Sequence, residues 1–270
     1  MDKYKRIFAT DMDGTFLRDD RTYDLERLEK LLDKFEENQA LFVSSSGRQL
    51  LALHQVFSPV KDRIAYVAEN GGVVAIGDEI IHAVRFEKAE MEELMRQLQI
   101  MPYSPMESFI ISGLKGSYVP MTVNEKYFEA IGLYYPNCQK VDSMSKLNDI
   151  MLKISTRFPE EHLEESIIWL NDKLPFARAT SSGFNSIDII PAGISKATGL
   201  EVLANHFDLT LEDATVFGDQ MNDFEMLSHA GTGVAVGNAT DRIREIADYV
   251  IGTNDESAVL AEMEKLIESA

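Results

Sequence analysis

Short apolar runs alternate with helix-period segments at both ends of this chain, and the alternation is lost in the middle. Ile7–Thr10, Ala40–Ser44 and Ile64–Ala68 are apolar runs of strand length. Between the first two, Asp24 to Glu36 sets Leu25, Leu28, Leu31, Leu32 and Phe35 at helical spacing, and Gln49 to Phe57 reads as a second helix. VVAIGDEIIHA follows as a hairpin turning at Gly77-Asp78. The rhythm resumes with a helix near Lys196–Phe207, strand Ala214–Phe217, helix Asp223–Leu227, strand Thr232–Val236 and helix Asp241–Ala247. Strands and helices in this alternation imply a parallel sheet with right-handed crossovers. The expected fold class is therefore α/β.

The middle segment reads differently. Helices are expected at Lys88–Gln99, Thr122–Ile131 and Glu160–Lys173, and strands at Ser108–Ser112, Met151–Ser155, Phe176–Thr180 and Asn185–Ile189. Pro102, Pro105, Gly113, Gly116 and Pro136 punctuate them, which is the pattern of an α+β module. The simplest parse is a core formed by residues 1–83 and 189–270, interrupted by an inserted module at 84–188.

Ligands of a parallel sheet bind beyond the carboxyl ends of its strands. Four polar sets fall there. Asp11 and Asp13 follow the first strand, Ser44-Ser45-Ser46-Gly47-Arg48 the second, and Gly218-Asp219-Gln220-Met221-Asn222-Asp223 the strand Ala214–Phe217. Lys196 opens the helix after Pro191-Ala192-Gly193. At about 4 Å and an effective dielectric near 20, each like-charge carboxylate pair costs roughly 4 kcal/mol. Asp11, Asp13, Asp219 and Asp223 together therefore call for a cation, and Mg²⁺ suits oxygen ligands beside a phosphate best. The Ser46 hydroxyl and the Ser46 and Gly47 amides can hold phosphate oxygens where a helix begins. Lys196 adds a compact positive charge, and Asn222 a neutral donor. A lysine at a helix start opposes the helix dipole, which implies negative charge close by.

The sets DMDGT, SSSGR, ENGG, PAGISK and GDQMND, with GVAVGNA and GNATDRIREIADYVIGTNDESAV, resemble the haloacid dehalogenase-like (HAD) superfamily. More narrowly they resemble Cof-type phosphatases, which carry a class-two cap. The resemblance runs from about Ile7 to Ser257. It implies a Rossmannoid core and identifies the insert as a cap that selects the leaving group. It makes Asp11 the nucleophile that forms an aspartyl phosphate, and Asp13 the acid that protonates the leaving oxygen and later deprotonates water. It places Mg²⁺ on the Asp11 carboxylate, the Asp13 carbonyl and Asp219, with Asp223 in support. The Met12 amide, Ser46, Gly47, Lys196 and Asn222 would bind phosphate. A phosphomutase and a non-catalytic phosphometabolite sensor are the alternatives. A receiver-type signalling domain would be far shorter and would need no cap. An ion-pumping ATPase relative would have threonine at position 13 and membrane spans.

The remaining features bound the setting. A net charge of −19 argues against nucleic acid or an anionic membrane as partner, and the expected partner, a small phosphorylated metabolite, would need concentrated positive charge at its own site. The start MDKYKRIFAT has no apolar stretch of signal-peptide length, so a cytoplasmic protein is expected. The single cysteine, Cys138, reads as a loop thiol, and Glu256, Glu262, Glu264 and Glu268 as a solvated acidic face on the last helix. Ser182, Gly183 and Asn185 read first as loop or hinge residues and second as substrate contacts, and Tyr134-Tyr135 first as packing residues and second as a platform for stacking on a ring. The physiological substrate and the oligomeric state are not encoded legibly.

Overall fold

The structure, a computed structural model, describes residues 4–103, 105, 109–132, 135–142, 147–181 and 185–268. Fourteen strands and nine α-helices are found among these residues. In chain order they begin β1 (Arg6–Thr10), α1 (Leu25–Glu37), β2 (Ala40–Ser45), α2 (Leu50–Val56), β3 (Ala65–Ala68), β4 (Val73–Ile76), β5 (Glu79–Ala83) and α3 (Lys88–Ile100). There follow β6 (Phe109–Gly113), β7 (Ser117–Pro120), α4 (Glu125–Ile131), β8 (Cys138–Val141), β9 (Met151–Arg157), α5 (Leu163–Lys173), β10 (Ala177–Ser181) and β11 (Ser186–Pro191). The last elements are α6 (Lys196–His206), β12 (Ala214–Gly218), α7 (Phe224–His229), β13 (Thr232–Ala235), α8 (Asp241–Ile246), β14 (Tyr249–Val250) and α9 (Ala258–Glu268). None of the described helices is long and apolar enough to cross a membrane.

The chain divides into two compact units. One comprises the residues up to Gly47, Phe57–His82 and those from Ser195 onward; the other comprises Arg48–Val56 and Ala83–Ile194. The first unit holds the sheet β14-β13-β12-β1-β2-β3-β4-β5. β1 pairs in parallel with β2 on one side and with β12 on the other, and the pairs β2–β3, β12–β13 and β13–β14 are also parallel. The hairpin strand β4 runs antiparallel to β3. β1 is thus the strand at which the order of chain succession changes direction, the point where such sheets open a crevice. Ile7, Ala9, Leu41, Val43, Val216 and Phe217 are buried, so the inner strands are apolar on both faces, as a covered parallel sheet requires. Phe16, Phe42 and Phe57 form an aromatic cluster beneath the loop that follows β1.

The local chemistry explains several boundaries. Asp24 caps α1 by accepting from the Arg27 amide at 3.0 Å. Asn124 caps α4 through the Tyr127 amide, so that helix begins at Glu125 and not at Thr122 as the periodicity suggests. Two expectations are corrected. Cys138 lies at the start of a strand, not in a loop. The last helix does not present a merely solvated acidic face: Glu264 forms a two-point pair with Arg27 of α1, Glu268 pairs with Lys34, and buried Glu262 accepts from Tyr249.

The second unit holds a largely antiparallel sheet, β10-β11-β9-β6-β7-β8, in which β7 and β8 run parallel. Phe109, Ile111, Ile154, Ile187 and Ile189 share one buried cluster with Leu94 and Leu98 of α3 and Leu170 of α5. Positions of the other parity carry Ser155, Lys153 and Asp188. Lys153 Nζ lies 3.2 Å from Asp188, Ser155 donates to Asp188 at 2.7 Å, and Tyr135 donates to Ser155 at 2.9 Å. Tyr135 is therefore a packing and hydrogen-bonding residue, and Asn185 is exposed in the turn before β11. Tyr134, Ser182 and Gly183 lie outside the described residues.

Candidate active site

Asp11 is the first residue past β1, and its amide donates to the Phe217 carbonyl at the end of β12. The chain then turns tightly. The Met12 carbonyl accepts from the amides of Thr15 and Leu17, and the Asp11 carbonyl accepts from Phe16. Gly14 makes the turn at φ +81°, and a Cβ there would come within 2.7 Å of an Asp219 oxygen. Thr15 donates its hydroxyl to Asp219 at 2.6 Å. Asn238 donates to the Gly14 carbonyl at 2.7 Å, and Asn254 supports both Asn238 and the Leu17 carbonyl. Asn238 and Asn254, in the chain's C-terminal motif, thus buttress the loop after β1.

Asp219 and Asp223 follow β12. Both Asp223 oxygens are engaged: one accepts from Lys196 at 2.6 Å, the other from the amides of Asp219 and Gln220 at 3.0 and 3.1 Å. Lys196, fully buried, is the first residue of α6 behind the Ser195 cap, and its ammonium also donates to Asp11 at 2.5 Å. The lysine that opposes the α6 dipole is therefore held by two carboxylates. A charge-assisted bond to each more than repays the unfavourable dipole term.

Asp11, Asp219 and Asp223 can each turn an oxygen to within 4.8 Å of the others, and all three are buried. When all are ionised, three carboxylates against one ammonium leave two uncompensated negative charges. The imbalance is visible in their titration. Burial raises the Asp11 carboxyl well above its ordinary range; Lys196 opposes this, and the charges of Asp223 and Asp219 add to it. Burial likewise pushes Asp219 up to about 6, helped by Asp223 and opposed by the Thr15 hydroxyl and Lys196. For Lys196 burial acts downward, but Asp11 and Asp223 outweigh it and the ammonium titrates above its usual value. An all-oxygen donor set with a double negative excess fits a hard divalent cation.

A pH dependence follows. In metal-free protein the folded state keeps a proton on Asp219 that the unfolded chain has already released, and burial raises Asp11 in the same direction. The Asp219 contribution therefore makes stability fall as pH rises from about 4 through about 6. A bound dication removes the cause. The thermal midpoint gained from Mg²⁺ over chelator is expected to be several degrees larger at pH 7.5 than at pH 5, since two pKa units correspond to roughly 3 kcal/mol. Equal gains at both pH values would contradict this account of the carboxylates.

The other expected site residues are placed as follows. Asp13 is exposed and stands outside the three-carboxylate group. Asn222 is half-buried and donates to Asn70 at 3.4 Å. Ser46 is buried, but its amide already donates to the Val67 carbonyl at 2.8 Å, continuing the β2–β3 pairing. The expectation that this amide holds phosphate is therefore corrected. Gly14 and Thr15 fit against and fasten Asp219. Sequence reasoning gave no role to Asn70, Asn238 or Asn254, although each lies in a motif it singled out.

Comparison with known proteins identifies the family. A model of the haloacid dehalogenase-like hydrolase family matches residues 8–263. The chain belongs to that family, in its Cof-type branch. It is 30% identical over 267 residues to the 5-amino-6-(5-phospho-D-ribitylamino)uracil phosphatase YbjI of Escherichia coli (strain K12), covering 97% of this chain and 96% of that protein. It is 25% identical to the HMP-PP phosphatase of Enterobacter sp. (strain 638), covering 88% and 86%. Among solved structures, SMU.1108c from Streptococcus mutans UA159 superposes with a TM-score of 0.91 at 28% identity, covering 97% of this chain and 99% of that one. This haloacid dehalogenase-like hydrolase thus shares its architecture with its relatives along nearly its whole length.

Proposed function

We propose that this hydrolase is a Mg²⁺-dependent phosphatase of small phosphorylated metabolites, working through an aspartyl-phosphate intermediate. The observation that carries the reading is the buried Lys196 ammonium set between Asp11 and Asp223, with Asp219 completing a carboxylate group that fits a dication. The relatives named as phosphatases of a ribitylaminouracil phosphate and of HMP-PP support the substrate class: sugar phosphates and flavin-pathway or other vitamin phosphates.

An Asp11 oxygen forms a bond to phosphorus while the ester bond to the leaving oxygen breaks. Asp13 gives that oxygen its proton. Water then attacks the phosphorus of the aspartyl phosphate, Asp13 takes back a proton, and inorganic phosphate leaves with Asp11 restored. The covalent route divides one hard displacement into two. Exposure suits Asp13 to a proton shuttle that exchanges with water. Lys196, the Ser46 hydroxyl, the Met12 and Gly47 amides and the Asn222 carboxamide hold the phosphoryl oxygens. Asp11, Asp219 and the Asp13 carbonyl would hold Mg²⁺, whose positive charge would offset the carboxylates and the phosphoryl group. Asp223, with both oxygens engaged, orients Lys196 and braces the loop after β12. Residues 84–188 act as a cap that selects the leaving group, and the enzyme works in the cytoplasm.

Release of p-nitrophenol from p-nitrophenyl phosphate tests the reading. Activity should require Mg²⁺ and fall by about 100-fold or more with excess chelator. Metal-independent release would overturn it. Binding of phosphate esters without release would indicate a sensor, and transfer of phosphate to a second hydroxyl a mutase.

A further inference from the structure

The segment Glu69-Asn70-Gly71, just after β3, runs with φ of +52°, +55° and +99°. Two non-glycine residues in the left-handed region are strained, and such strain persists where the surroundings over-determine it, often at functional sites. The surroundings here are two loops of the candidate site. The Asn70 amide donates to the Ser46 carbonyl at 3.0 Å. Its side-chain oxygen accepts from the Asn222 Nδ2 at 3.4 Å. Gly47 lies so close to this carboxamide that a Cβ would sit 3.0 Å from the same oxygen. Buried Asn70 therefore touches the turn after β2 and the turn after β12 at once.

We propose that Asn70 is a positioning residue, which fixes the Asn222 carboxamide so that Asn222 presents an N–H to the substrate phosphate. The proposal rests on the reading of Asn222 as a phosphate ligand. A carboxamide has two ends of nearly equal size and opposite polarity. Turned by 180°, Asn222 would direct its carbonyl oxygen at an anion. The Asn70 oxygen accepts one N–H of the Asn222 amide and so holds the NH₂ end on this side, leaving the second N–H for a phosphate oxygen. The left-handed backbone is what brings the Asn70 side chain to this place, and asparagine tolerates that conformation better than most residues. At 3.4 Å the contact is a long hydrogen bond, so its effect is expected at the modest end of the range.

Binding of inorganic phosphate to the Mg²⁺-loaded protein, measured by calorimetry, tests the proposal with three variants. Asn222→Ala should weaken binding about 10- to 30-fold, the worth of a hydrogen bond to a charged group. Asn70→Gly, which adopts φ +55° without strain, should weaken it about threefold to tenfold with little change in thermal midpoint. The double variant should bind no more weakly than Asn222→Ala alone, because Asn70 acts only through Asn222. Multiplying effects in the double variant, or an unchanged affinity in Asn70→Gly beside a weakened Asn222→Ala, would overturn the positioning role. An unchanged affinity in Asn222→Ala would remove the phosphate-ligand reading, and the inference with it.

Discussion

Asp11→Asn is expected to lower turnover of p-nitrophenyl phosphate by on the order of 10⁴-fold or more, without loss of stability. The variant keeps the shape of the side chain and an acceptor for Lys196 but loses the carboxylate proposed as nucleophile. Removing the atom proposed to form the covalent bond would eliminate the two-step route and leave only binding and charge stabilisation. The effect on stability should run the other way. Asp11 is one of three buried carboxylates that share a single ammonium, and its carboxyl already titrates well above the ordinary range because of burial. Neutralising it removes like-charge repulsion with Asp219 and Asp223, so the metal-free variant should melt at or above the wild-type midpoint. Undiminished turnover would show that Asp11 is not the nucleophile. A large drop in midpoint would show that the charge balance is drawn wrongly.

Lys196→Met should have a large effect of the opposite character, damaging both stability and activity. The fully buried ammonium donates to Asp11 at 2.5 Å and to Asp223 at 2.6 Å. Methionine fills much of the same volume but leaves those carboxylates buried without their cation. Breaking a buried ion pair from one side costs about 3–5 kcal/mol. The penalty should grow with pH, because at low pH the orphaned carboxyls can take up protons. Urea unfolding at pH 5 and pH 7.5 measures it: the loss should be larger at pH 7.5, and turnover should fall on the order of 1,000-fold with Mg²⁺ present. A variant as stable as wild type at both values would mean that Asp11 and Asp223 do not depend on this lysine.

The two substitutions together separate chemistry from architecture. Asp11 is expected to destabilise the metal-free fold, and Lys196 offsets the cost of its burial. Asp223 serves the same end, since both its oxygens are spent on Lys196 and on the backbone of its own turn. The helix that carries Lys196 pays an unfavourable dipole interaction, and the two carboxylates offset it.

Much of this was legible in the chain. Ile7–Thr10, Ala40–Ser44 and Ala214–Phe217 are apolar on successive residues, which identifies strands buried on both faces. The residue after such a strand is placed at the sheet edge by covalent connection alone. Asp11, Ser46 and Asp219 could therefore be assigned to one edge without knowing the order of the strands. The cap-like insert was harder. Ser117–Pro120 and Cys138–Val141 are short and partly polar, and nothing in their spacing marks them as strands; they are ordered by pairing with each other and, for the first, with Phe109–Gly113. Lys153 and Asp188 carry no local sign that they meet, because they become neighbours only when β9 and β11 pair.

The sequence by itself thus determined the α/β class, the sheet edge that carries the chemistry and the residue types gathered there, because strand periodicity and chain connectivity are local properties. Tertiary structure alone decided which groups remain available. The Ser46 amide is consumed by Val67 because β3 lies beside β2. Thr15 holds Asp219 from 204 positions away because β12 lies beside β1. Asn70 reaches Asn222 because three residues in a row turn left-handed. A hydrogen-bonding group has a fixed capacity, and its partner is set by whatever the fold brings within about 3 Å of it.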